Sequence, residues 1–129
     1  MLHKLLCVDD DPITLMLYKM VINKAEFAMQ VDTAQNGEEA IGYFDGLIAN
    51  GGEHPKLIFL DLNMPVMGGW EFLDLFSTEK YKPFADVKVI VLSSTIDPQD
   101  IEKSKSYNQV IDFRSKPISK EMLAELHDL

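Results

Sequence analysis

Asp61 ends the apolar run Leu57-Ile58-Phe59-Leu60 and opens the loop Leu62-Asn63-Met64-Pro65. A carboxylate where a buried strand turns into a loop is costly to leave unpaired, so it belongs at the strand's C-terminal edge, facing a cation or a reaction. Three other segments end in groups that suit such a place. Leu5-Leu6-Cys7-Val8 runs into Asp9-Asp10-Asp11, Val87 to Leu92 into Ser93-Ser94-Thr95, and Val110 to Phe113 is followed by Lys116-Pro117. Asp9, Asp10 and Asp61 repel one another if gathered in one pocket, and that repulsion implies a cation. Oxygen donors favour a hard ion, and Mg2+ fits best because it keeps several waters and takes few carboxylates. Three carboxylates, one Mg2+ and the Lys116 ammonium sum to zero formal charge.

The elements that must bring these residues together are legible in outline. Strand-like and helix-like stretches alternate five times, the pattern of a parallel sheet covered by helices on both faces. The first helix is expected from Asp11-Pro12, a side-chain cap followed by proline, with Ile13, Met16, Leu17, Met20 and Val21 as its apolar stripe. A second begins at Asn36 with the capping-box pattern Asn-Gly-Glu-Glu, turns Ala40, Ile41, Phe44, Leu47 and Ile48 inward, and ends at Asn50-Gly51-Gly52. A third runs from about Gly69 to Lys80 on Phe72, Leu73 and Phe76, and a fifth from Ser119 on Met122, Leu123 and Leu126. The fourth, opened by Asp97-Pro98 and carrying Gln99 to Asn108, has only Ile101 and Tyr107 as sizeable apolar anchors. It is expected to pack loosely, either as a plain exposed helix or as one free to shift with the state of a site.

Strand chemistry suggests an order. Met29 to Thr33 alternates polar and apolar residues and Val110 to Phe113 carries an internal charge, whereas the other three runs are nearly continuous in apolar residues. Continuous runs belong in the middle of a parallel sheet. Segments one, three and four are then central and two and five are edges, consistent with the expected α/β fold, a flavodoxin-like (βα)5 three-layer sandwich with sheet order 2-1-3-4-5; ligands in that topology bind near the switch point where Asp10 and Asp61 would meet.

Taken together, Val8-Asp9-Asp10, Leu60-Asp61-Leu62-Asn63-Met64-Pro65, Leu92-Ser93-Ser94 and Lys116-Pro117 resemble the motifs of response regulator receiver domains of two-component systems, including the single-domain chemotaxis type. The likeness runs from Leu5 to about Leu126. Its specificity lies in the shared order, with gaps of 51 residues from Asp10 to Asp61, 32 to Ser93 and 23 to Lys116. The resemblance implies that Asp61 takes a phosphoryl group from a phosphohistidine, and that the Asn63 backbone carbonyl joins Asp9, Asp10 and Asp61 in holding Mg2+. It further implies that Lys116 and Ser93 contact the phosphoryl group, that Asn63, Ser94 and Thr95 flank it, and that Ser93 couples to a switch aromatic, Phe113. A helix 4, strand 5 and helix 5 surface would carry the signal. The sequence departs from the family pattern at Gly68-Gly69, Ser93-Ser94 and Asn108; the first two bear on the lifetime of the phosphorylated state, and an asparagine tolerates the left-handed cap conformation.

Composition bounds the rest. A chain of 129 residues is read as one receiver domain over 1–129, and 47% apolar with 26% charged residues suits an independently folding globular unit. The net charge of -9 disfavours direct nucleic-acid binding, and no run is long enough for a membrane span. The lone Cys7, inside a strand, reads as inert packing in a reducing cytoplasm. His3, His54 and His127 are scattered and form neither a metal cluster nor a phosphodonor, Trp70 reads as partial packing, and the Asn50 to Pro55 loop has no assigned role. The expected partners are a sensor histidine kinase or histidine phosphotransfer protein and a downstream protein. Three alternatives stay open: a haloacid-dehalogenase-like phosphohydrolase, although Asn63 stands where that family wants a second acid; a receiver fragment of a larger regulator; and a pseudo-receiver that only binds.

Overall fold

The computed structural model describes residues 1–126, so His127 lies outside the described residues. Five parallel strands, β1 (Leu2–Val8), β2 (Ala28–Ala34), β3 (Leu57–Asp61), β4 (Lys88–Ser93) and β5 (Val110–Ser115), form one sheet in the order β2-β1-β3-β4-β5. Every residue of β3 is buried, as are all of β4 after Lys88, whereas β2 is buried only at its two ends and β5 holds only exposed and half-buried residues. The expected flavodoxin-like order is the observed one, with β2 and β5 at the edges as their composition suggested.

Helices α1 (Pro12–Lys24), α2 (Gly37–Asn50), α3 (Gly69–Phe76), α4 (Pro98–Ser104) and α5 (Lys120–Glu125) connect and follow the strands, with a short 3-10 helix at Glu79–Phe84. The face carrying α2 and α3 buries a phenylalanine cluster in which Phe44 lies 4.5 Å from Phe76 and 4.9 Å from Phe84 between ring centres. The opposite face packs α1 and α5 on Leu5, Cys7, Phe59 and Leu92. Burial there pushes the Cys7 thiol up to about 12, with Asp9 adding to the effect, which agrees with inert packing.

The expected caps are present. Asp11 Oδ1 accepts from the Ile13 N–H at 3.0 Å with Pro12 at the first helical position, Asn36 Oδ1 accepts from Glu39 N–H at 2.8 Å, and Gly51 closes α2 at φ +74°.

Four expectations need correction. In α1 the buried residues are Leu15, Tyr18 and Ile22, while Ile13, Met16, Leu17 and Met20 are 52–63% exposed. Both sets recur at helical spacing, so periodicity alone could not choose between two apolar faces, and the sheet took the one carrying the aromatic ring. Ile48 of α2 also lies outward. α3 stops at Phe76 instead of Lys80, where the Ser77 hydroxyl donates to Leu73 O at 2.7 Å and competes with the continuing ladder. α4 stops at Ser104, with Ser104 and Ser106 hydroxyls bonded to Ile101 and Lys103 carbonyls. Among the described residues, the non-glycine ones in the left-handed region are Glu26 and Val66, so the tolerance noted for Asn108 is not called upon.

Candidate functional site

Parallel strands point their C-terminal ends the same way, so the residues just past β1, β3, β4 and β5 share one end of the sheet. Register sets Val8 beside Leu60, Asp61 beside Leu92 and Ser93 beside Ser115. Asp9, Asp10 and Asp61 each offer an oxygen within 4.8 Å of the others, the one such carboxylate cluster among the described residues. Asp9 is 1% exposed and Asp61 5%, while Asp10 opens to solvent. Lys116 Nζ reaches Asp9 Oδ2 at 2.8 Å and Asp61 Oδ2 at 3.6 Å. Its backbone N–H donates to Ser93 O at 2.8 Å and so ties the lysine to the end of β4. The Lys116-Pro117 peptide is cis.

Charge and burial work against each other in this pocket. Burial pushes the Asp61 carboxyl up to about 6; the Lys116 ammonium and the Asn63 backbone N–H pull it down, and Asp9 and Asp10 push it up. Burial also disfavours the Lys116 ammonium, but Asp9 and Asp61 outweigh it and leave its pKa raised. Asp9 Oδ1 accepts from Asp11 N–H at 3.0 Å, whereas its buried Oδ2 has no hydrogen bond besides the ion pair with Lys116. Three carboxylates facing one amine therefore retain negative charge and free oxygen lone pairs, and this hard-donor set fits a divalent ion with oxygen preference.

The loop after β3 is shaped by close contacts. A Cβ at Gly69 would sit 2.6 Å from the Asp61 carbonyl oxygen and 2.9 Å from Leu62 Cα, so only glycine lets α3 begin this near the strand end. Gly37 N–H donates to Met67 O at 2.8 Å and ties the start of α2 to the same loop. Between them Val66, at φ +72°, sits in a tight turn closed by Met67 N–H on Pro65 O at 3.0 Å. A β-branched residue there is strained, and such strain is characteristic of loops whose geometry matters. No motif in the sequence announced the two glycine contacts.

The remaining expected residues are distributed unevenly. Ser93 is buried at the pocket rim, but its hydroxyl donates to Thr95 O at 2.6 Å and accepts from Thr95 N–H at 3.3 Å. Asn63, Ser94 and Thr95 are exposed in the loops around the pocket. Phe113 is half-buried on β5 opposite Val91, packed against the α2 and α3 core. His3 contacts Glu53 and His54 contacts Asp86, and neither joins the Asp9, Asp10 and Asp61 cluster. The exposed α1 face is the feature the sequence reading missed, because it had been assigned to the core.

The model of the response regulator receiver domain matches residues 5–128. A probable C4-dicarboxylate response regulator DctR of Halalkalibacterium halodurans is 28% identical over 122 residues, covering 95% of this chain; the chain spans only 48% of that relative's length. A two component response regulator from Cytophaga hutchinsonii has 31% identity and a TM-score of 0.89, with 98% of this chain and 95% of that one covered. Response regulator TrrA of Thermotoga maritima, solved in complex with Mg2+ and BeF, has 27% identity and a TM-score of 0.73, with 98% and 96% covered. The chain belongs to the response regulator receiver family. It is a two-component receiver domain whose acidic pocket of Asp9, Asp10 and Asp61 is typical of a phosphoacceptor site. No helix among the described residues is long and apolar enough to cross a membrane.

Proposed function

We propose that this chain is a single receiver unit that accepts a phosphoryl group on Asp61 from a phosphohistidine of a sensor histidine kinase or phosphotransfer protein. The observation that carries the reading is the buried Asp61 carboxylate set between Asp9, Asp10 and the Lys116 ammonium. An Asp61 oxygen attacks phosphorus as the bond to the imidazole nitrogen breaks; the nitrogen keeps the electron pair and is protonated. Phosphoryl transfer asks chiefly for in-line positioning and neutralised equatorial oxygens. Lys116 meets part of that charge, and Ser93, once turned from Thr95 O, donates a hydrogen bond. Mg2+, held by Asp9, Asp10, Asp61 and the Asn63 carbonyl, supplies the remaining positive charge when bound. Asn63, Ser94 and Thr95 then border the phosphoryl group and set how readily water removes it. Ser93 and Phe113 carry the change toward α4, β5 and α5.

The donor has to approach from the solvent side of Asp10, where α1 begins. Its exposed Ile13, Met16, Leu17 and Met20 form an apolar stripe leading away from the site, suited to a helical partner carrying the phosphohistidine. Signalling of this kind places the protein in the cytoplasm.

Incubation with a phosphorylated histidine kinase and Mg2+ tests this reading. Wild type takes up the phosphoryl group and Asp61→Asn does not; equal uptake by both would exclude the assignment. Steady turnover of a small phosphoester by the purified protein would instead favour the haloacid-dehalogenase-like alternative.

A further inference from the structure

α4 is thinly anchored to the sheet, with Ser104 its one buried residue and Ile101 half-buried. Its lateral hold comes from α3. The Trp70 indole stacks on the Tyr107 ring with centres 5.7 Å apart and planes 18° from parallel. Lys103 Nζ lies 4.8 Å from the centre of the Trp70 ring, and the Tyr107 hydroxyl donates to Asp74 Oδ1 at 2.5 Å. Trp70 and Asp74 are four residues apart on α3, so they share a face, and Lys103 and Tyr107 flank the end of α4 with the same separation. The four side chains make a clasp.

Both ends of this clasp lead to the acidic pocket. Trp70 follows Gly69, whose backbone N–H donates to Leu62 O at 3.0 Å, one residue past Asp61. On the other side, the Ser93 to Thr95 turn runs into Asp97, which caps α4 by accepting from Gln99 N–H at 2.9 Å. Turning the Ser93 hydroxyl toward a phosphoryl oxygen breaks its bond to Thr95 O and opens the turn that fixes where α4 starts. A helix with so little buried surface follows unless something outside the sheet restrains it.

We propose that the Trp70–Tyr107–Lys103–Asp74 clasp holds α4 in its unphosphorylated position and so opposes occupancy of the phosphoryl site. The inference rests on the phosphoacceptor reading above. Contacts made only in the resting arrangement lower the apparent affinity of any ligand that selects the other arrangement, and removing them raises it.

The test uses the full chain as wild type, Tyr107→Leu, Lys103→Gln and Lys103→Arg. Two quantities are read: amide hydrogen exchange across Pro98–Ser104 without ligand, and the beryllofluoride concentration giving half the change in emission of Trp70, the one tryptophan, in Mg2+. In Tyr107→Leu and Lys103→Gln, exchange is expected to be several-fold faster and the beryllofluoride midpoint about three- to tenfold lower. Lys103→Arg, which keeps a cation over the indole, is expected to behave as wild type. Unchanged exchange overturns the clasp, and faster exchange with an unchanged or higher midpoint overturns its coupling to the site. If wild type neither incorporates phosphoryl at Asp61 nor responds to beryllofluoride, the phosphoacceptor reading falls and the coupling with it; exchange still decides whether the clasp restrains α4.

Discussion

At the scale of single residues, the pocket sets stability against chemistry. The Asp61 carboxyl, raised by burial from an ordinary 3.8 to about 6, holds a proton in the folded state at pH values where the unfolded chain has lost it. Stability from this group is therefore complete below about pH 3.8 and lost as pH rises through about 6. In chelator, Asp61→Asn is expected to be more stable than wild type at pH 7 by roughly 1–3 kcal/mol, with the gap closing near pH 4. Urea unfolding at the two pH values checks this; an equal difference at both would contradict the burial argument. Gly69→Ala acts in the opposite direction. Its new Cβ meets backbone at 2.6 Å and 2.9 Å, where nothing flexible yields, so a loss of about 2–3 kcal/mol in chemical denaturation is expected. The acids, lysine and serine were legible in the sequence because each punctuates an apolar run. The tight approach at Gly69 was not, since it depends on where α3 docks.

At the scale of elements, the strands were readable because burial on two faces writes a continuous apolar run, and caps were readable because Asp11, Asn36, Ser119 and Asp97 advertise them. α1 was misread because it carries two apolar faces and the sheet needs one. That surplus separates two kinds of substitution. Leu15→Ala removes a buried side chain and is expected to cost about 2–4 kcal/mol. Leu17→Asp, on the exposed face, is expected to leave stability within about 0.5 kcal/mol of wild type. The same variant is expected to slow phosphoryl transfer from a partner kinase while leaving labelling by acetyl phosphate unchanged. Parallel losses with both donors would place the damage at the site instead of at the docking face. The early end of α4 has a similar physical reason: serine hydroxyls satisfy the last carbonyls, a local competition that hydrophobic periodicity does not register.

At the scale of the whole molecule, four strand ends separated widely in sequence deliver three carboxylates, one amine and one hydroxyl to a single edge of the sheet. The sheet order explains why such distant motifs belong together, and the charge they gather explains why a divalent ion and a phosphoryl group would find the same place. The central claim is that Asp61 is the atom-level acceptor in that arrangement. The most direct measurement is borohydride trapping after treatment with acetyl phosphate and Mg2+, followed by mapping of the modified peptide. The account predicts the label on Asp61, its absence when a chelator replaces Mg2+, and its absence in Asp61→Asn; a label on Ser93, Ser94, Thr95 or a histidine, or one that survives in Asp61→Asn, would contradict it.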